Sequence, residues 1–192
     1  MENHSNTMES LRKILDTMYD KFIIRDVMGK CIPGMLLLIV LSRRLGYCLE
    51  EENTAVIVFA AFLSWCAGFL VQSFGEFIGI RRDYPKGKKD GQYVNDRQWY
   101  DFYVKYQDKV KDNVKNAELV ERFIVIKEMC GNMASALLLC GIVVLVFESN
   151  ALKENWRYAL IYLLFIVLFF RMHRKHVRRQ AEYMKGVVDK NP

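Results

Sequence analysis

The stretch TAVIVFAAFLSWCAGFLVQ, residues 54–72, runs nineteen residues without a charge. About 20 residues of helix cross a hydrocarbon core, so this segment alone argues against an ordinary soluble domain. Outward from it, GNMASALLLCGIVVLVF (131–147) supplies seventeen uncharged residues and YALIYLLFIVLFF (158–170) thirteen, lengthened at its edge by Trp156. CIPGMLLLIVL (31–41) is shorter, with IIRDVMGK before it and LGYCL after it to extend it. The expectation is therefore four transmembrane helices in an all-α chain. A soluble bundle would show polar faces along these segments. The near-zero mean hydropathy averages these blocks with the strongly charged segments between them.

Lys and Arg set the orientation. Residues 1–30 carry five, 81–127 twelve and 171–192 seven, whereas the two short connections carry four in all, Arg43, Arg44, Lys153 and Arg157. Both termini and the long middle loop are thus expected in the cytoplasm. The net charge of +6 is placed to meet anionic headgroups rather than nucleic acid. The N-terminal segment does not read as a secretory signal, because charges run through it and no small-residue cleavage site follows. Cys31, Cys66, Cys130 and Cys140 fall in or beside spans at no metal-ligand spacing, and read as small hydrophobes. Cys48 alone is expected at the outer side.

Three segments on the inner side share a narrow apolar seam. Met8, Leu11, Leu15, Met18 and Phe22 form one, Trp99, Tyr103, Tyr106, Val110, Val114 and Ala117 a second, and Val177, Ala181, Met184 and Val188 a third. Steps of three and four place each set on one helix face, as in helical bundles. Between Asp96 and Phe147 there is no proline, and the only glycines are Gly131 and Gly141. One continuous helix of roughly 75 Å is expected there at 1.5 Å per residue, a stalk that continues as span three. The divisions that follow are an amphipathic helix (1–30), spans one and two (31–80), a loop and stalk (81–122), spans three and four (123–170), and a basic C-terminal helix (171–192).

Polar groups then stand out. Ser64, Gly68, Gln72, Glu76 and Gly79 share a face of span two, and Lys127, Gly131, Ser135 and Gly141 a face of span three, flanked by Glu128 and Asn132. Small residues let helices approach and polar ones bond across the contact. A Glu76–Lys127 pair is expected at the inner ends of these spans, with Gln72 and Asn132 a turn deeper. Polar glue between two helices is the plain reading of Gln72, Glu76, Lys127, Glu128 and Asn132. A polar gate at the inner mouth of an oligomer is the functional one. Arg43 and Arg44 are expected to pair with Glu50, Glu51 and Glu52.

RMHRKHVRR (171–179) follows span four directly. Arg171, Arg174, Lys175, Arg178 and Arg179 read as an anchor and lipid-headgroup patch. The Arg171-x4-His176 spacing resembles the Arg–His motif of HEPN ribonucleases, but a basic run generates it unaided. Tyr84, Tyr93, Tyr100 and Phe102, outside the seam, are candidates for binding a cytoplasmic protein, since aromatic residues are enriched at such interfaces. Nucleic acid is not expected to bind directly. No Gly-rich phosphate loop, metal cluster or catalytic triad is legible, so neither an enzyme nor a cofactor is expected.

The motifs RDVMGKCIPGMLLLIVL, SWCAGFLVQSFGE and ERFIVIKEMCGNMASALL resemble those of the small four-span bacterial membrane proteins that accompany anti-phage defence genes. The first likeness is to the membrane component of Kiwa-type systems, the second to the membrane accessory proteins of type VI CRISPR loci. The resemblance implies a homo-oligomeric inner-membrane protein that senses or transduces a membrane event with a cytoplasmic partner. A pore that depolarises the membrane is the alternative, and a small transporter a third reading.

Overall fold

The structure is a computed structural model that describes residues 25–46, 54–84, 96–110, 114–147 and 156–190. The fold is all-α, with no strand among the described residues. A π-helical turn, Val27–Cys31, enters α1 (Ile32–Leu45); α2 spans Thr54–Phe77, α3 Asp96–Val110, α4 Val114–Phe147 and α5 Trp156–Lys190.

The frame is a long hairpin. Helices α4 and α5, of 34 and 35 residues, each extend roughly 50 Å and pack along one another. Their pairings fix an antiparallel register: Tyr183 bonds to Asn116, His173 to the Lys127 carbonyl and Tyr162 to the Leu137 carbonyl. Helices α1 and α2 form a second antiparallel pair, and its closeness depends on glycine. A Cβ at Gly34 would collide with the Ser64 backbone, and one at Gly68 with the Lys30 backbone. Small residues allow such approach where dispersion contacts between backbones replace interdigitated side chains.

Two cores result. In one half, Leu37, Val71, Ala136 and Cys140 pack with Leu41, Val143 and Tyr162 around them. In the other, Tyr106, Val110, Val120, Ile124 and Met184 pack against Trp99, Tyr103 and Tyr183. The expected seams therefore face inward at Tyr106, Val110, Val177, Ala181 and Met184, all buried. The first seam, at residues 8–22, lies outside the described residues.

One expectation is corrected and a second is met in part. The stalk is not one helix from Asp96 to Phe147. The Tyr106 hydroxyl donates to the Asn116 carbonyl, 2.9 Å away, whereas ten residues of continuous helix would separate them by about 15 Å. Helix α3 instead folds against α4 and α5 and completes a three-helix core. Of the four expected spans, two helices among the described residues meet the length and composition required, over Val56–Phe77 and Asn116–Phe147. Helix α1 has 14 residues and the apolar run of α5 thirteen, short of the ~20 required. Only 22% and 39% of the two qualifying windows is buried within the chain, unlike the core helix of a soluble protein.

Candidate functional site

Where the apolar half meets the charged half, α2 ends in a tight reversal. Gly79 adopts φ +72°, and the Arg81 N–H reaches back to the Gly75 carbonyl at 2.9 Å. A left-handed residue at a helix end is most easily glycine. This turn brings Arg81 back beneath its own helix, where the side chain is only 6% exposed and bonds to Glu76. It also lies 3.6 Å from Glu128 and 3.9 Å from Asp83.

Glu128 is the hub. Buried on α4, it accepts both arms of Arg25, from Nε at 2.8 Å and from Nη2 at 2.6 Å. Such bidentate pairing fixes orientation as well as charge. Its neighbour Lys127 donates to the Asp83 carbonyl at 3.0 Å and stands 3.7 Å from the Asp83 carboxylate. Lys30 pairs with Asp26 one turn away, at 2.7 Å, and its ammonium lies 4.3 Å from the centre of the Phe69 ring. The set contains four cations, Arg25, Lys30, Arg81 and Lys127, and four carboxylates, Asp26, Glu76, Asp83 and Glu128. It is balanced, as burial demands, because an uncompensated charge in this setting costs several kcal/mol (~3–5).

Two neutral groups complete the junction. Asn132 donates to the Gly29 carbonyl at 2.5 Å, within the π-turn. A π-turn displaces the helical hydrogen-bond ladder, and the Asn132 amide engages a carbonyl there. His173 of α5 is wholly buried. Its Nδ1 lies 2.7 Å from the Lys127 carbonyl and its Nε2 3.0 Å from the Arg82 N–H. Nδ1–H therefore donates and Nε2 accepts, which defines a neutral imidazole. Burial, reinforced by the nearby charges of Lys127, Arg81 and Arg174, pushes its pKa down to about 4 against the opposing bond to the Lys127 carbonyl. The ring has room because residue 131 is glycine: a Cβ there would stand 2.9 Å from Nδ1.

The expected site residues thus converge, with different partners. Glu128, Lys127 and Asn132 are buried at the junction. Gln72 donates to Glu76 at 3.2 Å, but Glu76 is half exposed and does not pair with Lys127. Arg81 takes Glu76 and Asp83 takes Lys127, because the turn at Gly79 folds the following residues back. Arg81, Asp83, Arg25 and His173 escaped the sequence reading. The first two follow a glycine that marks the reversal, and His173 is hidden in a run that reads as a basic anchor.

Among the aromatic candidates, Tyr84 is corrected: it is buried and stacks on Trp99, ring centres 6.1 Å apart. Phe102 is half-buried against the same ring. Tyr100 is 65% exposed and available to a partner, and Tyr93 lies outside the described residues. Arg171, Lys175, Arg178 and Arg179 are exposed on α5, and Arg174 is half-buried. His176, partner in the Arg171 spacing, sits beside the Phe123 ring, with no second Arg–His pair around it among the described residues. Cys130 and Cys140 are buried, and Cys31 and Cys66 half-buried, all four as free thiols. Cys48 and the carboxylates expected beside Arg43 and Arg44 lie outside the described residues. Among those described, no cluster of three His, Cys, Asp or Glu side chains could hold a metal ion.

The arrangement joins the segment before α1, the end of α2 and α4 through paired charges, and α5 through the neutral His173. The chain matches no protein-family model, no curated protein and no solved structure in the three comparisons made.

Proposed function

We propose that the chain is a four-span protein of the bacterial inner membrane, with both termini in the cytoplasm, that passes a membrane event to a cytoplasmic protein during phage infection. The observation that carries this reading is the balanced ion network at the boundary between two chemically distinct halves. On one side more large apolar side chains stand exposed than are buried, among them Phe59, Phe62 and Leu70 of α2 and Leu163, Leu164 and Phe165 of α5. Water would penalise each such side chain by about 1.5–3 kcal/mol relative to burial, and lipid would not. On the other side is a packed helical bundle with an exposed Tyr100. A tilt of α1 or α2 in the bilayer strains the Arg25–Glu128 and Arg81–Glu128 pairs, and through them α4 and the α5 packed along it, which continue into the bundle. The shorter α1 spans together with its π-turn, and α5 with Trp156 and its basic end at the two interfaces.

A photoreactive side chain at Tyr100, in cells sampled before and after phage adsorption, tests the reading. The expected product is a crosslink to one soluble protein whose yield changes on infection, together with fewer plaques than on cells lacking the pair. Equal plaque numbers, or a crosslink indifferent to infection, would sink the defence role. Glu76 favours a second reading. It is half exposed with Gln72 beside it on an uncovered face of α2, so self-association through that face would ring the inner mouth of a pore with carboxylates. Depolarisation on expression, abolished by Glu76→Gln, would select the pore.

A further inference from the structure

Two deeply buried polar side chains bond to one short stretch of backbone. His173 of α5 accepts from the Arg82 N–H at Nε2, 3.0 Å away, and Lys127 of α4 donates to the Asp83 carbonyl at 3.0 Å. Arg81, just before them, is tied to α2: its N–H reaches the Gly75 carbonyl at 2.9 Å and its guanidinium bonds to Glu76. Tyr84 follows at once. It is buried and stacks on Trp99 near the start of α3, ring centres 6.1 Å apart and planes 23° from parallel. Trp99 packs in turn on Phe102 at 5.9 Å. Residues 81–84 therefore meet α2 at one end, α4 and α5 in the middle and α3 at the other. A side chain that only fills space at this depth is more stable apolar, because a buried polar group costs free energy unless it is bonded. Both bonds go to main chain, so what His173 and Lys127 fix is the path of this segment. The far end of α3 is held separately, by Tyr106 and Val110 in the bundle core and by the Tyr106 bond to the Asn116 carbonyl. Its near end, at Trp99 and Phe102, is only half-buried against that core, and Tyr84 lies over the Trp99 face.

We propose that residues 81–84 are a strap that clamps the N-terminal half of α3 to the bundle and frees it when α2 shifts against α4 and α5. The strap is bonded on both sides, so such a shift must open one set of bonds. On the α2 side stands a guanidinium–carboxylate pair, about twice as strong as a bond between neutral groups. On the other side, the long Lys127 side chain can follow the Asp83 carbonyl. The His173 ring cannot follow Arg82, because its Nδ1 is bonded to the Lys127 carbonyl at 2.7 Å and it lies close against Gly131. The neutral Arg82–His173 bond is therefore the one that opens. Tyr84, two residues on, then leaves Trp99, and α3 swings about its Val110 end to uncover Trp99 and Phe102 beside the exposed Tyr100. That a membrane event moves α2 rests on the function proposed above; the clamp itself does not.

Hydrogen exchange on the full chain in detergent micelles tests the strap. His173→Phe keeps a ring in the space and removes the bond to Arg82. Exchange should quicken about tenfold over residues 96–102, the equivalent of one hydrogen bond, and stay unchanged over 106–110 and 134–140. Tyr84→Ala should quicken the same residues, and the double variant should add no more than about twofold to the faster single one, because both open one clamp. Unchanged exchange over 96–102 in Tyr84→Ala overturns the strap. So does a full second tenfold in the double variant, which would make the two sites independent, and so does a uniform rise through 134–140 in His173→Phe, which would make His173 an ordinary part of the core. Tyr84→Ala leaves His173 and the ion network in place, so it decides the clamp even where His173→Phe loses its helical circular dichroism. In cells, a photoreactive side chain at Tyr100 should crosslink its partner in His173→Phe without infection. A crosslink in that variant that still waits for infection overturns release of α3 as the signal. A wild type that never crosslinks would refute the phage reading alone, and the exchange pattern would still decide the strap.

Discussion

At the scale of single residues, burial decides which member of an ion pair matters. Glu128 is 9% exposed and serves both Arg25 and Arg81, of which Arg81 is itself only 6% exposed. Glu128→Ala leaves a buried guanidinium short of charge and should cost about 3–5 kcal/mol. Arg25→Met strands the buried Glu128 carboxylate without its two short hydrogen bonds, so its cost should also reach about 3 kcal/mol although Arg25 itself is 44% exposed. Thermal unfolding of the two single variants and the double variant in one detergent should therefore show losses well short of additive, and additive losses would mean that Glu128 is not the hub. His173 gives a pH dependence of known sign. Its folded pKa, about 4, lies below the ordinary value near 6.5, so the unfolded chain takes up the proton first as pH falls. Its contribution is complete above pH 6.5 and is lost progressively toward pH 4, up to about 3 kcal/mol. Stability should therefore fall more steeply over that window in the wild type than in His173→Gln, with parallel curves as the contrary outcome. Neither His173 nor Arg81 was legible beforehand, because both acquire their environment from contacts nearly fifty to a hundred residues away.

At the scale of elements, the apolar seams carried over well and the helix ends did not. Spacing of three and four at Tyr106 and Val110 and at Val177, Ala181 and Met184 encodes a face, and those faces meet in the bundle core. No glycine or proline stands between Val110 and Val114, so nothing local announces that α3 and α4 are separate. Packing decides it, since the seam of α3 gains more against Met184 and Ile124 than in a solvated stalk. The same applies to the span count, where α1 and α5 have the right composition over too short a run. Met184 tests how α3 is held. It is fully buried, and Met184→Ala should cost about 2–4 kcal/mol. The expected signature is local: hydrogen exchange quickens in Asp96–Val110 while Ala134–Cys140, in the other core, stays protected. A uniform rise across both cores would show that the halves unfold as one unit.

At the scale of the whole molecule, what remains uncovered matters most. Within one chain the buried face of α2 runs through Ser64, Gly68, Val71 and Gly75, and Gln72 and Glu76 turn away from it. Glu76 keeps 48% of its side chain exposed although Arg81 neutralises it. At a water boundary that exposure is harmless. At the inner edge of a bilayer it places a hydrogen-bonded polar pair among apolar neighbours such as Phe69 and Phe77, and polar side chains there bond across helix contacts when another helix is offered. A second copy offers one. The mass of the protein extracted in native lipid particles should accordingly be a multiple of 22.6 kDa, with four or more copies for a ring that encloses a channel. Glu76→Gln keeps the shape and one hydrogen bond and should leave that mass unchanged, whereas Gly75→Leu, which pushes against Ser135, should shift α2 and lower it. A monomer or dimer would remove the pore between subunits and reduce Gln72 and Glu76 to a cap on the end of α2. A ring whose mass survives Glu76→Gln while its conductance falls would place the carboxylate on the ion path.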